Sequence, residues 1–331
     1  MKAALLALLL AFGGGQGLSR PQSAPDAFEA TFALDQRVAG IAHRLATGNL
    51  GLCADRAFLP GFSIHDLSQY DSANRAEAIR RFGLDAGPAV LATAPGGPAE
   101  RGGLQRGDVL LSLDGRSLPR VQTLPRQGSF DRMARLLDTL EEAFADGRAS
   151  FAVRRAGAPL ELTVIADEGC ASRFELMPGS RLNARADGRY VQVTSAIATY
   201  VRDDDELASV LAHEFAHNVL RHRLRLDAAD VERGILGNFG RNARRIRETE
   251  VEADRLSVYL MERAGFDPGA AVRFWSRFGR RGLNFLGSAT HPNWRRRIVL
   301  LQTEIAAIAR ARAAGETPSP GFVSLPLPPR N

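Results

Sequence analysis

The stretch LAHEFAHNVLRH at residues 211–222 sets two of the chain's six histidines, His213 and His217, four residues apart, with Glu214 directly after the first. On an α-helix, residues four apart lie on one face one turn apart, so both imidazoles can reach a single point. Zinc bound there needs a third protein ligand and keeps one position open for water. Glu214 is rotated by about 100° around the helix, so it flanks that point and can take a proton from the water. These are the requirements of metal-assisted peptide hydrolysis. Leu207, Val210, Leu211, Ala212 and Val219 give the same helix an apolar side, and a plain core helix has no use for two histidines and a glutamate. Asp203, Asp204 and Asp205 supply its N-cap and a favourable charge at its start.

The third ligand is expected on a second helix, in RETEVEADRLSVYLMERAGFDP, running from Arg247 to Gly265. Helical spacing puts Glu250, Ala253, Asp254 and Ser257 on one narrow stripe of small or acidic residues suited to close packing on the first helix. Glu252, Arg255 and Glu262 share a different, polar side. Glu250 is therefore the expected ligand, with Asp254 one turn later as the carboxylate that orients a histidine. His222, five residues past His217 on a continued helix, would point elsewhere and is read as structural, and His43 and His65 receive no role.

The remaining sequence places this pair of helices in an exported, multidomain chain. With 331 residues, 45% of them hydrophobic and 24% charged, it can build two or three modest cores. The net charge is +6, and Lys2 is the sole lysine, so the positive charge is arginine spread along the chain. The start MKAALLALLLAFGGGQGLSR has one cation, Lys2, ahead of a short apolar run and then small residues, the order of a signal peptide over residues 1–20. No transmembrane segment is expected in the mature chain, which should be periplasmic or secreted. In such an oxidising compartment the two cysteines, Cys53 and Cys170, are expected to form a disulfide.

Between the cysteines, APGGPAERGGL and then GDVLLSLDG resemble a PDZ domain of the kind found in bacterial exported proteases, over residues 81–167. Such a module implies an edge strand and helix groove for an extended peptide. Because the cysteines flank it, the module reads as an insertion. An N-terminal helical segment, residues 28–80, would then pack with the peptidase domain at 168–314, and a proline-rich flexible tail would occupy 315–331. The expected fold class is α+β: a mostly helical zincin-type domain with a small edge sheet, plus the inserted β-rich domain.

HEFAH, then EVEAD, then THPNWRRR resemble the zinc metallopeptidase family of the HtpX and CAAX-protease type, especially its soluble periplasmic BepA-like members. The resemblance covers Arg173 to about Ala314, and its HExxH and ExxxD pattern implies the same Glu250 and Asp254. It further implies that His291 and Arg297 lie beside the metal. There either could stabilise an oxyanion, or His291 could fill zinc's open position. The strand near Asn183–Thr194 resembles the edge that receives substrate backbone. Two features depart from the pattern: the polar, arginine-rich stretch Leu224–Arg247, and the PDZ-like insertion itself.

The implied activity is an exported zinc endopeptidase acting on unfolded or misassembled envelope proteins, with polypeptides as partners and the oligomeric state open. The alternative is a peptide-binding, chaperone-like envelope protein whose zinc site is capped. Nucleic acid is not an expected partner, because the arginine clusters have no interleaved aromatics and lie near acids.

Overall fold

In the computed structural model, residues 27–84, 87–119, 123–231, 240–280, 293–322 and 325 are described, and the expected leader lies outside them. The first helix, α1 (Ala27–Gly48), carries Phe32, Val38, Ile41 and Leu45 at helical intervals on its buried side. Val38, Ile41 and Leu45 share one core with Leu207, Leu211 and Leu260 of the C-terminal half, far along the chain. The helix stops where backbones nearly touch, since a Cβ on Gly48 would lie 3.0 Å from the Arg263 carbonyl oxygen. Beside it the fully buried Asn49 donates from Nδ2 to the carbonyls of Leu45 (2.8 Å) and Leu260 (2.9 Å).

The chain then leaves this core and returns to it. Strand β1 (Arg56–Leu59) goes out; β2 (Phe62–His65), α2 (Arg75–Phe82), β3 (Ala89–Thr93), α3 (Pro98–Arg101), β4 (Val109–Leu113), β5 (Arg116–Ser117), α4 (Asp131–Ala143), β6 (Arg148–Arg155) and β7 (Ala158–Ile165) follow. Strand β8 (Asp167–Cys170) comes back, antiparallel to β1. The Cys53–Cys170 disulfide closes this exit and entry, with 117 residues of sequence separation and a Cα–Cα distance of 5.7 Å. The excursion has its own antiparallel sheet, β2-β3-β4-β6-β7 with β5 beside β4, and its own core around Ile64, Leu110, Leu136, Phe151 and Val164.

That sheet corrects the expected boundary at residue 81: the inserted domain begins at about Phe62, because β2 is the sheet's edge strand. Residues 66–84 also cover this sheet, with Leu67, Ala78 and Leu84 packed on Ala89 and Val109. Two four-residue strands broken by Gly61, at a φ of 70°, are too short for a two-residue alternation to declare itself.

In the C-terminal half, β9 (Arg173–Met177), β10 (Ala184–Ala186) and β11 (Tyr190–Thr194) form a three-stranded sheet with β11 in the middle, parallel to β9 and antiparallel to β10. Helices α5 (Ser195–Tyr200), α6 (Asp204–Val219), α7 (His222–Asp227), α8 (Gly240–Arg263), α9 (Gly269–Arg280) and α10 (Trp294–Ala313) follow. Helix α6 is capped by Asp203, whose Oδ1 accepts from the Glu206 amide at 2.8 Å, and it is buried along most of its length. Helix α8 begins at Gly240, two turns before the expected Arg247, because its polar first turns lie outside the apolar pattern. Nor is all of the tail loose: Phe322 lies under the Arg255 guanidinium at 4.0 Å and packs against the helical core despite the flanking prolines. No helix among the described residues is long and apolar enough to cross a membrane.

A loop of this length lets the chain-entropy model assign the disulfide up to about 5 kcal/mol. A Cys53→Ser, Cys170→Ser protein should accordingly unfold at clearly lower denaturant concentration than the parent. Coincident unfolding curves would show that the β1–β8 pairing holds the junction without it.

Candidate metal centre

Helices α6 and α8 pack side by side, and the small residues Ala253 and Ser257, both fully or nearly buried, let them approach closely. The approach brings His213, His217 and Glu250 together, each offering one ligand atom within 4.8 Å of the others. The His213 and His217 Nε2 atoms are 3.4 Å apart. Glu250 Oε2 lies 3.4 Å from His213 Nε2, and Oε1 lies 3.6 Å from His217 Nε2. Ligands held tetrahedrally around zinc at ordinary bond lengths are separated by about 3.3–3.5 Å. The donor set and its spacing therefore fit zinc, and the narrow α8 stripe that includes Glu250 faces α6.

Each imidazole is oriented from behind. His213 Nδ1 is 3.1 Å from Asp254 Oδ1, so its proton sits there and Nε2 is left for the shared point. Asp254 is wholly buried (0% exposed), and Arg297 from α10 meets it at 2% exposure. The guanidinium donates from Nε at 3.1 Å and also from Nη2, and it stacks 3.4 Å from the centre of the Trp275 ring. Arg297 thus stands behind His213, with Nε and Nη2 on Asp254 and Nη2 also 3.3 Å from His213 Nδ1. Arg297 also lines the cleft that opens onto the ligands. His291 lies outside the described residues.

The second arm was not expected. His222 belongs to α7, not to a continuation of α6: Arg221 takes a left-handed conformation (φ 51°) that ends α6 and turns His222 back beneath His217. The two Nδ1 atoms are 2.9 Å apart, and His222 Nε2 is 3.0 Å from Glu252 Oε2. Sequence spacing alone could not reveal this, since it presupposed an unbroken helix.

Burial and the neighbouring acids move the proton affinities of these groups in opposite directions. Burial alone would lower the His213 pKa, but hydrogen bonds to Asp254 and Glu250 outweigh it and push the imidazole up to about 10. Burial pulls His217 down to about 3, the neutral form a metal requires. Burial also pushes the Glu214 carboxyl up to about 7, aided by the negative charges of Glu250 and Asp254. Glu214 lines the same cleft of about 280 Å³, whose rim includes Ala184 and Arg185 of β10 and Trp275 and Phe278 of α9. Asn218, next to His217, fixes that rim by accepting from the Gly188 amide at 2.8 Å.

Residues 171–236 and 238–305 match the sequence model of peptidase family M48, and residues 90–137 match that of the PDZ domain. The mitochondrial metalloendopeptidase OMA1 of Schizosaccharomyces pombe is 34% identical over 133 residues, covering 34% of this chain and 40% of its own. The beta-barrel assembly-enhancing protease of Yersinia pestis is 32% identical over 130 residues, covering 30% and 27% respectively. Its Escherichia coli K12 counterpart is 27% identical over 190 residues, covering 43% and 39%. The chain thus spans less than half the length of these relatives.

Removing Asp254 should strand the buried Arg297 charge and release the His213 ring. Asp254→Ala is expected to lose about 3–5 kcal/mol of stability in metal-free protein, measured by urea unfolding. A loss below about 1 kcal/mol would mean that solvent reaches Arg297 and that the pair is not a buried support.

Proposed function

We propose that this chain, whose residues 171–236 and 238–305 belong to peptidase family M48, is a zinc-dependent endopeptidase that cuts extended segments of unfolded envelope proteins. The observation that supports this most is the convergence of two imidazole nitrogens and a carboxylate at 3.4–3.6 Å, with Glu214 on the same cleft. His213, His217 and Glu250 would hold the zinc. When bound, zinc supplies Lewis-acid polarisation of the scissile carbonyl and of water. Glu214 takes a proton from the attacking water and returns it to the departing amine nitrogen. Its half-buried position, which raises its proton affinity, suits a group that must both accept and release a proton near neutrality.

Substrate enters as an added strand. Strand β10 is an edge of its sheet and borders the cleft, so a peptide in extended form can pair with Ala184–Ala186 while one of its bonds lies over Glu214. The PDZ-like domain presents a second open edge, β2, opposite α4, and this pair borders a cavity of about 830 Å³ that also reaches β9. Ion pairs from Arg189 to Asp138 (2.7 Å) and Glu141 (3.0 Å) clasp α4 to the peptidase sheet. We assign this groove the capture of polypeptide. Export to the periplasm or beyond is supported by the apolar leader and by a disulfide, which persists in an oxidising compartment.

Glu214→Gln should retain about one equivalent of zinc while cleavage of an unfolded casein-type substrate falls by at least about 10²-fold. A strong chelator should abolish cleavage by the parent, and added zinc should restore it. Undiminished cleavage by the Gln variant would remove Glu214 from the mechanism; cleavage indifferent to chelator would remove the metal.

A further inference from the structure

We propose that His222 and Glu252 are positioning residues that select the metal-binding tautomer of His217, a role resting on the zinc assignment above. For His217 to ligate through Nε2, its proton must sit on Nδ1. The atom facing that proton is His222 Nδ1, at 2.9 Å, which must then be an acceptor. The His222 proton is thereby forced to Nε2, where it meets Glu252 Oε2 at 3.0 Å. Every donor in this chain of contacts faces one acceptor. In the opposite arrangement, His222 donates from Nδ1 and turns a bare Nε2 lone pair toward a carboxylate, an electrostatic clash in a buried place. Glu252 thus disfavours the tautomer of His217 that would point a proton at the metal position.

The relay is anchored at both ends. Arg225 donates to both Glu252 oxygens, at 2.6 and 3.2 Å. His222 is almost fully buried, so its ring has no solvent to trade partners with. The left-handed turn at Arg221, which a non-glycine residue adopts at a cost, is what brings the ring under His217. Asp55 pins that turn through two hydrogen bonds of 2.7 and 2.8 Å to the Arg221 guanidinium. The two ligand histidines are therefore oriented differently: His213 directly by Asp254, His217 through one intervening imidazole.

The test compares His222→Leu, which fills the space without hydrogen bonds, with His222→Gln, whose carbonyl can accept from His217 while its amide donates to Glu252. Zinc affinity is read on the full chain by chelator competition, and the geometry of the site by the visible spectrum of the cobalt-substituted protein. His222→Leu and Glu252→Ala should each weaken zinc binding by about 10–100-fold and alter the cobalt spectrum, while His222→Gln should return within a few-fold of the parent. Parental affinity in the Leu and Ala variants would overturn the relay, as would a Gln variant as weak as the Leu one. Should His222→Leu not fold, Glu252→Ala, altered at a partly exposed position, decides the question by the same two readouts. A His217→Ala control separates the two levels: parent and control binding zinc equally would overturn the metal site itself and the relay with it.

Discussion

A carboxylate with no exposure, Asp254, is the point on which the C-terminal domain turns. A buried charge of that kind is tolerated only when it is paired and hydrogen-bonded. Arg297 from α10 and His213 from α6 supply the partners, so three helices must meet there in one arrangement. Against burial, which would raise it, Arg297 and His213 hold the Asp254 carboxyl below its ordinary value. The same contacts fix the His213 ring with Nε2 toward Glu250. Stability and chemistry are thus specified by one interaction, and the α6–α8 contact through Ala253 and Ser257 exists at a spacing that lets His217 join.

Around that point, the rest of the molecule serves to hold edges and turns in place. The disulfide and the β1–β8 pairing tie off the inserted domain next to Asp55, and Asp55 in turn stabilises the left-handed Arg221 behind the metal cleft. The inserted domain is clasped to the three-stranded sheet through α4, the helix that forms one wall of its groove. The three-stranded sheet therefore has a different neighbour on each edge: the metal cleft borders β10, and the groove beside the PDZ-like domain reaches β9. A strand paired to β10 and a segment held near β9 would both act on one small, shared sheet.

Much of this is legible in the sequence because helical periodicity is a strong local signal. The four-residue spacing of His213 and His217 and the stripe through Glu250 and Asp254 depend only on helix geometry, which the apolar flanks guarantee. The cysteines flanking a glycine-patterned stretch make the insertion readable for a similar reason. What escapes is set by tertiary contacts. The strand β2 is four residues long and gains its identity from β3, so it leaves no local period, and the resemblance alone sets the domain boundary at 81 instead of about Phe62. Arg221 looks like any helical arginine, and its left-handed turn is held by Asp55, a residue 166 positions away, so the approach of His222 to His217 leaves no periodic trace. The alignment of Arg297 with Asp254 is likewise hidden, since a motif places a residue near a site without saying which partner takes its donors.

The central claim is that one zinc ion is held by two imidazoles and one carboxylate from α6 and α8. X-ray absorption at the zinc edge on the full chain, loaded with one equivalent, measures this directly. The structure predicts a first shell of nitrogen and oxygen at about 2.0–2.2 Å, with imidazole outer-shell scattering from two histidines and no sulfur contribution. Glu250→Ala should remove one oxygen from that shell and loosen the metal. A shell containing sulfur, a single imidazole signature, or a spectrum unchanged by the loss of Glu250 would contradict the site.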